Sequence, residues 1–136
     1  MTLELIVNPD SGQTDVYKIA RAVYAETGAA TLAAVEAMCS MISNIANKFN
    51  RAHVDVAADD TIFSALNPDS ARYVRLQDAP TSRGFQMCLR VVRRMLTGAL
   101  HDTVYGAVRF HHADTLPDWA TARGYIADVD GLLFYL

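Results

Sequence analysis

Between Val16 and Gly28 the chain reads VYKIARAVYAETG, and Val16, Ile19, Ala20 and Val23 fall at the i, i+3, i+4, i+7 spacing of one helix face. Glu26 lies three residues past Val23 and seven past Ile19, so the apolar stripe runs into a carboxylate. Thr14 or Asp15 is the expected N-cap and Gly28 the residue that ends the helix. Thr31 is placed to cap a second helix, in which Leu32, Val35, Cys39, Ile42, Ala46 and Phe49 keep a three-four alternation. This is the most hydrophobic helix of the chain and is expected to be central. Ser82 opens a third, with Phe85, Cys88, Leu89, Val92 and Leu96 on one face and Gly98 at its end. Arg83, Arg90, Arg93 and Arg94 fall mostly off that face and read as a solvated surface.

Between these helices, residues 50–80 lose any period and are rich in turn formers. A structureless stretch of this length in a compact domain is a candidate binding or lid region. Asn67 with Pro68 is positioned to cap a short helix over 69–73. After His101 the period becomes strand-like: 104–111 reads as a strand, and 125–128 with 132–136 as a hairpin around Asp130 and Gly131. A short extended run, Leu3 to Val7, is expected ahead of the first helix. The pattern predicts an α+β domain, mostly helical and closed by a small antiparallel sheet near the C-terminus.

The 136 residues, 51% apolar and 20% charged, fit one globular domain spanning 1–136. A net charge of −3 gives no reason to expect nucleic-acid binding. No run is long and apolar enough for a membrane span, and residues 1–10 lack the basic start of a signal peptide. Cys39 and Cys88 share no metal or redox spacing and read as buried free thiols.

Candidate chemistry centres on Glu26. Burial and the negative end of a helix both disfavour its charge, which predicts a raised pKa and the behaviour of a general acid. The alternative is a carboxylate that reaches solvent or pairs with an arginine. His111, His112 and Asp114 invite a metal, but adjacent strand residues point to opposite faces, so no metal site is expected. Neither a nucleophile elbow nor a Gly-rich phosphate loop is present, and no cofactor is implied. Glu36 would lie roughly 15 Å along even a continuous helix from Glu26, beyond the spacing of a paired-carboxylate glycosidase; the break at Gly28 leaves the true separation open, and Asp55, Asp59 and Asp60 could approach only through a fold the pattern does not give.

The ordered set of segments 20–26 (ARAVYAE), Phe63-Ser64, Thr97-Gly98, 106–111 (GAVRFH), Trp119-Ala120 and Phe134-Tyr135 resembles the SleB/CwlJ-type bacterial cell wall hydrolases over about residues 15–135. The resemblance implies a lysozyme-like fold and a muralytic activity. That activity would be lytic transglycosylation between N-acetylmuramic acid and N-acetylglucosamine in peptidoglycan glycan strands. It makes Glu26 the catalytic residue and implies that Phe110, His111 and Trp119 line the glycan cleft, supported by Tyr135, with Ser64 also at the substrate. It also implies action at the cell wall or periplasm, reached without a signal peptide by another route such as a phage-like one. The chain has Ala30 where the family carries a second acid, Leu132 where a histidine is common, and His112 where an asparagine is frequent. These changes keep open a catalytically weak or silent peptidoglycan-binding relative. An amidase cutting the stem peptide is a third reading, disfavoured by the missing metal or nucleophile set.

Overall fold

The computed structural model describes residues 14–78 and 82–136. Helix α1 is Asp15–Thr27: the Thr14 side chain accepts from the Tyr17 N–H, and Gly28, at φ 66°, donates its N–H to the Tyr24 carbonyl. Helix α2 is Leu32–Phe49, capped by Thr31 and ended by Asn50 in the left-handed region. Its middle is buried from Ala34 to Ala46 on several faces, but the end residues Leu32 and Phe49 project into solvent. Helix α5, Arg83–Leu96, packs across both α1 and α2. The Ser82 side chain accepts from the Gly84 N–H, and Gly84 is also where α5 meets the α1–α2 turn. A Cβ there would stand 2.6 Å from the Ala29 Cβ, so only glycine permits the approach. The buried face of α5 is Phe85, Cys88, Leu89, Val91, Val92 and Met95. Met95 takes the place expected of Leu96, which is exposed, because 85, 88, 92 and 95 hold the stripe closer to the helix period. Cys39 and Cys88 are free and buried, and burial pushes both thiols up, Cys88 to about 12.

The irregular stretch contains more structure than the sequence pattern predicts: α3 (His53–Ala57), a 3₁₀ turn at Ser64–Leu66 and α4 (Arg75–Asp78). Arg51 pairs with Asp59 at 3.2 Å, and Asp59 also accepts from the Thr61 backbone and hydroxyl. No helix forms over 69–73. The Asn67 side chain accepts from the Asp69 N–H at 3.0 Å, making a local turn that competes with helical capping.

The sheet has the order β1-β3-β2, all antiparallel, with β1 Arg109–His112, β2 Tyr125–Val129 and β3 Leu132–Tyr135. The β2–β3 hairpin turns through Asp130 at φ 52° and Gly131 at φ 83°, the two positive angles a tight two-residue loop needs. The expected strand over 104–111 begins only at Arg109. Before it, the Asp102 carboxylate accepts from the N–H groups of Val104 and Gly106, both at 2.8 Å, and Tyr105 adopts φ 50°, so the chain turns instead of extending. One core cluster joins helices and sheet, from Tyr17 through Val35, Phe63 and Phe85 to Phe110 and Phe134. The expected run Leu3 to Val7 lies outside the described residues. Among the described residues no helix is long and apolar enough to cross a membrane.

Candidate active site

The last turn of α1 carries Glu26 inward, where the residue is 1% exposed. It neither reaches solvent nor pairs with an arginine. Three donors hold its carboxylate: the Ser64 hydroxyl at 2.8 Å and His112 Nε2 at 2.5 Å on Oε2, and the Ala65 N–H at 3.1 Å on Oε1. Two come from the 3₁₀ turn of the irregular stretch and one from the end of β1, so the site forms only when three distant segments meet.

This arrangement corrects the expectation of a raised pKa. Burial is the largest single influence and pushes the carboxyl up, but the hydrogen bonds from His112, the Ala65 N–H and Ser64, with the charge of His112, together outweigh it. The Glu26 carboxyl is therefore held below its ordinary range. The pattern could place Glu26 on a buried face, but it could not reveal donors brought from 38, 39 and 86 residues away.

Glu26 opens onto a polar pocket of about 190 Å³, whose walls include Thr27, Ala30, Arg72, Arg75, His112, Asp130 and Leu132. The Arg75 guanidinium donates to the Ala25 carbonyl at 3.2 Å, and a Cβ on Gly28 would stand 2.9 Å from Arg75 Nη1. It thus satisfies a free carbonyl of the last turn and supplies positive charge at the helix's negative end. Arg72 stands 3.7 Å from Asp114, whose side chain is largely exposed. Asp130 is tied to the Thr31 hydroxyl. Glu36 is engaged by Arg94 at 2.9 Å and Asp59 by Arg51, and neither touches Glu26. Arg72 and Arg75 carry no signal in the sequence pattern, whereas His112 stands out there as a candidate metal ligand and as a departure from the asparagine frequent in the cell wall hydrolases the chain resembles.

Comparison with family models, with curated proteins and with solved structures returns no match. The site is therefore read from its own geometry.

The residues expected to form one glycan cleft are divided by the sheet. Ser64 joins Glu26. Phe110 does not line a cleft: it faces the core, against Phe63, Phe134 and the edge of the His112 ring. His111 points to the opposite face, as adjacent strand residues must. Its Nδ1 donates to the His112 carbonyl at 2.8 Å, and its Nε2 is hydrogen-bonded to the Tyr135 hydroxyl at 2.8 Å. Trp119 packs edge-on against both His111 and Tyr135 and lies under the Arg109 guanidinium. This outer cluster, with the half-exposed Tyr125 beside Tyr135, is on the side of the sheet away from Glu26. His111 and His112 thus cannot share an ion, and among the described residues no group of His, Cys, Asp and Glu is arranged to hold one.

Proposed function

We propose that this chain is a peptidoglycan-cleaving enzyme of lysozyme-like fold, a lytic transglycosylase in which Glu26 is both acid and base. The observation that carries the reading is a fully buried glutamate lining a polar pocket, held by three donors and, among the described residues, hydrogen-bonded to no second carboxylate, the pocket's other acid, Asp130, being engaged by Thr31. Cleavage with one carboxyl requires the substrate to supply its own nucleophile. Glu26 protonates the glycosidic oxygen as its bond to C1 of N-acetylmuramic acid breaks; the resulting carboxylate takes the proton of the muramyl 6-hydroxyl as that oxygen bonds C1. The glutamic acid is regenerated, and no water is consumed.

Glu26, held by His112, must take up the proton it donates as substrate binds: burial already acts on its carboxyl more strongly than any single hydrogen bond and favours the neutral form. A glycan strand covering the pocket would add to that burial. The place of action would be the cell wall or periplasm.

A second reading, a wall-binding relative without catalysis, is favoured by one feature: the free site holds Glu26 below its ordinary range, as a carboxylate with nothing to donate. The two separate on purified sacculi. The transglycosylase clears a sacculus suspension and Glu26→Gln does not, whereas the binding protein pellets with sacculi and leaves turbidity unchanged.

A further inference from the structure

The mechanism above uses Glu26 and His112 but leaves two guanidinium groups on the same pocket without a task. Arg75 is fixed, lying against Gly28 with one N–H on the Ala25 carbonyl, and it has no carboxylate partner among the described residues. Arg72 is partly exposed, and its one ion pair among the described residues, at 3.7 Å to the exposed Asp114, is too long and too solvated to hold it. Two cations sharing a small pocket, one anchored on a backbone carbonyl and one only loosely paired, make a receptor for a planar anion, and guanidinium groups match carboxylates in particular. Asp130, the other acid on the wall, accepts from the Thr31 hydroxyl and, among the described residues, makes no ion pair with either arginine.

We propose that Arg72 and Arg75 form a carboxylate subsite beside Glu26, and that its occupant is the lactyl carboxylate of a muramyl residue freed of its stem peptide. The inference rests on the muralytic reading. In intact wall the lactyl group is an amide and carries no charge; it becomes an anion only after the amide to the stem peptide has been hydrolysed. The preferred substrate is therefore a denuded strand, and an amide-hydrolysing step must act on the wall first. The other source of a carboxylate in peptidoglycan is the stem peptide itself, which the same chemistry would accept but which denuded strands lack.

Binding of four probes to the Glu26→Gln protein, measured by calorimetry, tests this: denuded glycan tetrasaccharide, the same strand with stem peptides, neutral chitotetraose and free N-acetylmuramic acid. The denuded strand is expected to bind about tenfold more tightly than chitotetraose, as charge-assisted bonds to arginine imply. Adding Arg72→Ala should erase that preference, bringing the denuded strand to the affinity of chitotetraose, and Arg72→Lys should keep part of it. Among the described residues Arg72 has no buried ion-pair partner, so both variants should fold, which circular dichroism checks. Equal affinity for the denuded strand and chitotetraose would overturn the subsite. Tighter, Arg72-dependent binding of the peptide-bearing strand would overturn the lactyl assignment. If no tetrasaccharide binds but free N-acetylmuramic acid does, and only with Arg72 present, the subsite stands and the muralytic reading falls.

Discussion

Replacing His112 by alanine removes the shortest of the three contacts on Glu26, and the direction of the result follows from the balance already described. In the native protein the hydrogen bonds win over burial and the folded pKa lies below the unfolded one. Glu26 then contributes stability that is fully present above its unfolded pKa and is lost as pH falls through the folded pKa. Without His112 only the Ser64 hydroxyl and the Ala65 N–H oppose burial, the largest single influence, so the folded pKa rises. The stability that the charged form contributes at neutral pH shrinks accordingly. The loss at pH 7 should be about 1.5–3 kcal/mol, the worth of a hydrogen bond to a buried charge. For a domain of this size that lowers Tm by roughly 5–10 °C. Urea unfolding of native protein and variant at pH 7 and in the acid range reads both effects: the native protein should weaken on acidification, and the gap between the two should close. A variant as stable as the native protein at pH 7, or a gap that widens in acid, would refute the account of how Glu26 is held.

Other consequences are smaller or more local. Glu26→Gln should stop lysis and cost about 1 kcal/mol in urea unfolding at pH 7, since three donors then face a neutral amide; a more stable variant would mean the charge is not stabilised. Gly84→Ala should lower stability by about 1–3 kcal/mol on a melting curve despite alanine's better helix propensity, because the added methyl meets Ala29 at 2.6 Å. Dialysis against a chelator should leave lysis intact, because the His111 and His112 rings lie on opposite faces of β1; loss of activity restored by a divalent metal would contradict that.

The helices were legible because their information is local. Thr14, Thr31 and Ser82 each cap as their positions imply, Gly28 ends α1, and the stripe that buries Ile19 and Val23 also buries Glu26. The hairpin was legible for the same reason, since Asp130-Gly131 supplies both positive angles. What failed was local chemistry overriding a pattern: Asp102 folds 104–106 into a turn where alternation predicts strand, and Asn67 makes a turn in place of a helix cap. The site was half legible. Burial of Glu26 is written in its own helix, but the sign of its pKa depends on Ser64, Ala65 and His112, whose arrival is a property of the whole fold. The aromatic residues 110, 111, 119 and 135 were grouped as one cleft, yet strand alternation alone sends Phe110 and His111 to opposite faces.

The central claim is that one buried carboxyl cleaves a glycosidic bond without activating water, and product chemistry tests it most directly. Purified peptidoglycan, first treated to remove stem peptides and then digested with this protein, should release fragments ending in 1,6-anhydromuramic acid. By mass spectrometry these are lighter by one water than hydrolytic products, and borohydride does not reduce them. Glu26→Gln should release none. Fragments with borohydride-reducible muramic acid would contradict the claim, because they require a second group that positions water at C1.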